Sequence, residues 1–292
     1  MIDKFIDLRG LKFHYREWGK RGVPMVLLHG LASQVHIFDL VAPLLERDFH
    51  VFAFEQRGHG ESAKPDTGYD FVTVSDDLFE FLDVMKLRRP VIAGHSWGGN
   101  VALAFAARHP EYCRALVFID GGFLDLRSDP NMTWKRAKQE LAPPNLAGMP
   151  EDEFRGMLKG YLSDAGMRWR PAFGEIILDN FEVLPDRTIR PRLTFARHMK
   201  ILRALWEQRP PKLYARVSCS VLMLPALPNP SRVSVSNETK RSLVALAERS
   251  FARSETVWFK NTVHDIPLQR PRRLANVMTS FCRKYKIPDQ NR

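Results

Sequence analysis

Cysteine is scarce in this chain of 292 residues: there are three, Cys113, Cys219 and Cys282, odd in number and far apart. That excludes a disulfide framework and any metal spacing, so no metal site is expected. It fits reduced, buried thiols in a cytoplasmic protein. No apolar run reaches the roughly 18 residues of a membrane span, so no membrane association is expected. Met1 to Asp7 has no basic region followed by an apolar stretch, and no signal peptide is expected. Acid is also in deficit, with 33 Asp and Glu against 44 Lys and Arg, a net charge of +11. Such an excess could serve nucleic acid or anionic surfaces. The cations form no stripe, only short clusters at Arg88-Arg89 and Arg270 to Arg273, and no nucleic-acid motif accompanies them. A solvated basic surface without a nucleic-acid partner is the expectation.

What is present is chemistry-bearing. Gly94-His95-Ser96-Trp97-Gly98 reads G-x-S-x-G. Pro90 to Ala93 before it predicts a buried strand, and the alanine-rich run from Gly99 to Arg108 predicts a buried helix. A serine on that sharp strand-to-helix turn is pushed into the open, with backbone N–H groups of a helix N-terminus beside it. Ser96 is therefore the candidate nucleophile. The candidate base is His264, in a loop after the strand-like Glu255 to Phe259 and before a terminal helix. His29-Gly30-Leu31-Ala32 follows the apolar strand Pro24 to Leu28. The Leu31 N–H and the Trp97 N–H are the candidate oxyanion donors.

Taken together, His29-Gly30, the turn Gln56-Arg57-Gly58-His59-Gly60-Glu61-Ser62, the Ser96 elbow and His264 with Pro267 resemble the α/β-hydrolases. The resemblance is to their capped branch of small esterases, lactonases, haloalkane dehalogenases and epoxide hydrolases. It covers nearly the whole chain outside the middle. It implies an α/β fold with a mostly parallel sheet flanked by helices. Glu55 stands where the family usually has aspartate, at a position that is structural as a rule. The family's dehalogenases and epoxide hydrolases use an aspartate nucleophile, so Ser96 argues against both. The triad acid departs from the pattern. The family usually places it after the strand that follows the cap, and Asn229 occupies that place. Asp120, after the strand Ala115 to Ile119, is the leading candidate. It matches one dehalogenase subgroup and keeps the order Ser, Asp, His. Glu238 is a third.

Along the chain, two strands near Phe5 to Leu8 and Leu11 to Trp18 predict an antiparallel edge. A helix is expected around Ile37 to Leu45. After Asp120 the βαβ rhythm stops, and it resumes near residue 218. Residues 1–122 and 218–292 are read as one core, and 123–217 as a helical cap inserted in it. Within the cap, Phe154, Met157, Leu158, Tyr161 and Leu162 recur as one apolar helix face. Phe195, Met199, Leu202 and Trp206 predict a second helix, and Val183 to Ile189 a turn or short hairpin. Trp134, Trp169, Met199 and Trp206 are the candidate pocket residues of an apolar lid. The expectation is a serine hydrolase without cofactor, acting on a small ester or lactone with an apolar acyl or aryl part. C–C bond hydrolysis, a cofactorless lyase and a weakly active binding protein stay open beside it.

Overall fold

The computed structural model describes residues 2–129, 131–164, 166–228 and 237–287. The chain opens with the hairpin β1 (Ile2–Leu8) and β2 (Leu11–Trp18). There follow β3 (Val23–Leu28), α1 (Ala42–Leu45), β4 (Phe49–Phe54), α2 (Phe71–Val84), β5 (Val91–His95), α3 (Trp97–Arg108) and β6 (Ala115–Ile119). Next come α4 (Trp134–Glu140), α5 (Glu151–Asp164), α6 (Pro171–Leu178), β7 (Phe181–Val183), β8 (Ile189–Pro191) and α7 (Phe195–Glu207). The chain then returns through β9 (Ser220–Leu224), β10 (Ala226–Leu227), α8 (Asn237–Ser250), β11 (Ser254–Thr256), β12 (Phe259–Lys260), α9 (Ile266–Gln269) and α10 (Pro271–Lys284).

Eight strands form one sheet in the order β1-β2-β4-β3-β5-β6-β9-β11, parallel from β4 to β11. Its central strands are apolar along their length because helices cover both faces. Alternate residues serve opposite sides. Val26, Leu28, Ile92, Phe118 and Met223 pack with α2, α3 and α8. Met25, Leu27, Val91, Val117 and Leu224 pack with α1 and α10. The helix expected at Ile37 to Leu45 is instead a 3-10 turn, Val35–Phe38, and then the short α1. Pro43 explains the break, since it has no N–H to give to an earlier carbonyl and is tolerated only in a first turn.

The stretch between β6 and β9 holds α4 to α7 and the antiparallel pair β7–β8. It has a small core of its own, Phe154, Leu158, Leu178 and Ile189. On α5, Phe154, Leu158 and Leu162 are buried, whereas Met157 and Tyr161 of the same apolar stripe are exposed. The stretch is tied to loops at the C-terminal ends of the strands. Gln34 Nε2 donates to the Ile176 carbonyl (2.9 Å), and Arg197 pairs with Asp66 (3.0 Å). Arg192 pairs with Glu61. Among the described residues no helix is long and apolar enough to cross a membrane.

Candidate active site

The parallel register sets the site. Ile119 lies between His95 and Leu224, so β5, β6 and β9 end at one level. Just past those ends come Ser96, Asp120 and, two residues beyond Leu224, Ala226, at the carboxyl edge where α/β sheets present their ligands. Ser96 turns the chain from β5 into α3 with φ 53° and ψ −123°. Positive φ in a non-glycine residue is costly and persists where its surroundings over-determine it. Here the Ser96 N–H donates to the Ile119 carbonyl (2.9 Å) and the Gly99 N–H donates to the Ser96 carbonyl (2.9 Å).

Asp120 also has positive φ, 45°, and its carboxylate is buried. His264 Nδ1–H donates to Asp120 Oδ2 at 2.7 Å. The Ala226 N–H donates to Oδ1 at 2.9 Å. Lys240 Nζ donates to both oxygens, at 2.9 and 3.0 Å, and to the Ala226 carbonyl at 3.0 Å. Burial pushes the Asp120 pKa up, but the His264 hydrogen bond, the charge of His264 and the Lys240 ammonium outweigh it and bring it to about 2. Burial likewise presses the His264 pKa down, and Asp120 carries it above the ordinary 6.5. The imidazole keeps 47% of its side-chain surface accessible, in keeping with a net upward shift.

His95 supports the base from the other side. It is buried, and its Nε2–H donates to the His264 carbonyl at 3.0 Å. The two rings stand 4.8 Å apart. Burial and the neighbouring His264 hold the His95 pKa down at about 4, so it stays neutral. No hydrogen bond joins Ser96 to His264 among the described residues. Such bonds are commonly loose until substrate binds.

Trp97 begins α3, and neither its N–H nor that of Leu31 has an acceptor among the described residues. The loop carrying Leu31 presses on the serine. A Cβ on Gly30 would lie 3.1 Å from Ser96 Cβ and 3.4 Å from His95 Nδ1. His29 fixes that loop: its Nδ1–H donates to the Gly30 carbonyl (2.8 Å) and its Nε2 accepts from the Gln56 N–H (3.0 Å). Glu55 is buried nearby and accepts from the Glu61 N–H (2.6 Å), the Ser62 N–H (3.1 Å) and His14 Nδ1 (3.1 Å).

The pocket candidates are not among the walls of the cavity beside the oxyanion loop. Trp134 and Trp206 pack on each other, 5.9 Å between rings, with Arg203 over Trp134 and Arg127 over Trp206. Trp169 packs against Gly174 of α6, with Lys159 over its ring. Met199 is half-buried on α7. That cavity, of about 110 Å³, lies under the insertion, next to the oxyanion loop. Ala32, Ser33, Pro143, Leu146, Phe181 and Leu193 are among its walls. Glu238 is exposed, and Asn229 lies outside the described residues. Sequence reasoning missed Lys240 and the His95 bond. Neither has a local signal, because both partners are far away in the chain. Among the described residues no group of three His, Cys, Asp or Glu could hold a metal ion.

Comparison with known proteins agrees with this architecture. Residues 23–151 match the family model described as alpha/beta hydrolase fold, and the chain has that fold. It is 32% identical over 119 residues to 2-(acetamidomethylene)succinate hydrolase of Mesorhizobium japonicum, covering 41% of this chain and 42% of that protein. It is 35% identical over 113 residues to the soluble epoxide hydrolase of Corynebacterium sp., covering 39% of each. The chain thus spans about two fifths of the length of these relatives. Among solved structures, E-2-(acetamidomethylene)succinate hydrolase superposes with a TM-score of 0.77 at 22% identity, covering 96% of this chain and 98% of that one. The enol-lactonase from Burkholderia xenovorans LB400 superposes with a TM-score of 0.72 at 16% identity, covering 95% and 99%.

Proposed function

We propose that this protein is a serine hydrolase that cleaves a small carboxylic ester or lactone through an acyl-enzyme. The observation that carries it is the 2.7 Å bond from His264 Nδ1 to the buried Asp120 carboxylate, made level with the strained Ser96 turn. Asp120 fixes the tautomer that leaves Nε2 of His264 unprotonated and able to take the Ser96 proton. Ser96 Oγ then attacks the carbonyl carbon. The Leu31 and Trp97 N–H groups, unengaged otherwise, receive the oxyanion. Collapse of the tetrahedral intermediate expels the alcohol, which takes the proton from His264. Water then attacks the acyl-enzyme with His264 again as base. Residues 123–217 act as a cap over this site, and the apolar walls beside Ala32 and Ser33 favour an apolar acyl or aryl part.

The test is a panel of p-nitrophenyl esters of rising chain length beside a lactone panel, run with a fluorophosphonate probe. The wild type should turn over at least one member and take up one probe molecule. Ser96→Ala should lose both and keep the wild-type circular dichroism spectrum. Labelling that persists in the alanine variant would mean that Ser96 is not the nucleophile.

A further inference from the structure

We propose that Lys240 is a positioning residue for this site. Its ammonium clamps the Asp120 carboxylate in the orientation that presents Oδ2 to His264, and it offsets part of the negative charge that His264 feels. The inference rests on the serine-hydrolase reading above.

The geometry is specific. Lys240 reaches from the first turn of α8 into the site and is only 16% exposed. It donates to Oδ1, to Oδ2 and to the Ala226 carbonyl. The Ala226 N–H closes the ring by donating back to Oδ1. A carboxylate held by one backbone N–H and one ammonium cannot rotate without breaking both. Oδ2 is thereby fixed for His264. A carboxylate so buried also needs a counter-charge while His264 is neutral, which it must be to act as base. Lys240 supplies that charge through the whole cycle, and His264 supplies it only as imidazolium.

The same placement tunes the base. His264 is faced by Asp120 after β6, by Asp265 in its own loop, by His95 at the end of β5 and by Lys240 from α8. Tyr161 of α5 adds a phenol near Asp265. The two carboxylates and Lys240 act in opposite senses on the imidazolium, and Lys240 holds its pKa below what Asp120 alone would give. His264 therefore remains a usable base nearer neutral pH.

Two variants separate this role from mere structural support. Lys240→Gln keeps a donor but removes the charge, and Lys240→Arg keeps the charge. Two readouts are taken: the acid limb of kcat/KM, and the His264 ring-proton titration by NMR, assigned by difference with His264→Gln. Lys240→Gln should move both midpoints upward by roughly 1 pH unit, and Lys240→Arg should leave both close to wild type. A Gln variant that loses activity equally at every pH, with an unmoved His264 midpoint, would overturn the proposal. So would a Gln variant indistinguishable from wild type, or an Arg variant whose midpoint moves by about a full unit. If the Gln variant does not fold, Lys240→Met, which also removes the charge, takes its place in both readouts. The titration needs no turnover, so an inactive wild type would sink the hydrolase reading and still leave the Lys240 proposal under test.

Discussion

At the residue scale, the Asp120 carboxylate has two side-chain partners, His264 and Lys240, and its loss should show in two ways. Asp120→Asn would remove the acceptor that fixes the His264 tautomer. Turnover should fall on the order of 10⁴-fold, by analogy with the same change in a serine protease. The variant would also leave the Lys240 ammonium without a counter-charge. Because the folded Asp120 pKa lies near 2, below the unfolded 3.8, its contribution to stability is present above pH ~3.8 and disappears as pH falls through ~2. Melting temperatures taken from pH 6 down to pH 2 should therefore fall more steeply for wild type than for Asp120→Asn. Parallel curves would mean that the carboxylate is not held as an anion. Ser96 and His264 were legible in the sequence because a glycine-flanked serine and a late loop histidine carry local signals. Asp120 was legible only as the end of a strand. Lys240 was not legible at all, since its partner lies 120 residues earlier in the chain and only the β6–β9 pairing brings them together.

At the scale of elements, the site depends on how closely α3 follows β5. A Cβ on Gly98 would sit 2.3 Å from the Leu28 carbonyl oxygen and 2.6 Å from that of His29. Both are backbone atoms of the neighbouring strand β3 and its exit, and neither can step aside alone. Gly98→Ala should push α3 off the sheet, lower the melting temperature by several degrees and blunt fluorophosphonate labelling of Ser96. An alanine variant with native melting and native labelling would show that α3 has more room than this packing allows. The elements themselves were readable, because apolar runs between turn residues announce buried strands and an alanine-rich run announces a buried helix. The break at Pro43 was readable in principle. The stripe on α5 misled for a physical reason: periodicity reports an apolar face but not what covers it. Met157 and Tyr161 belong to that face and remain exposed.

At the scale of the whole molecule, the insertion and the core share hydrogen bonds close to the site. Asn100, in the first turn of α3, donates to Gln208 Oε1 (2.7 Å), and Gln208 Nε2 donates to the Asn100 carbonyl (3.2 Å). The end of α7 is thus fastened to the helix that follows Ser96. Around this core the surface carries a large excess of positive charge, +11 in all. Dissolved ions screen such a surface over a Debye length of about 10 Å at 0.1 M salt. The Asp120–Lys240 pair lies beneath that atmosphere, with side-chain exposures of 1% and 16%. Mobile ions cannot enter between the two. The part of the potential at His264 that comes from this pair is then set by covalently tethered charges and not by the buffer. From 20 mM to 500 mM sodium chloride, a charged substrate's encounter rate should change by a larger factor than the proton affinity read from the midpoint of the acid limb. The molecule carries its own electrolyte at the one place where proton affinity matters.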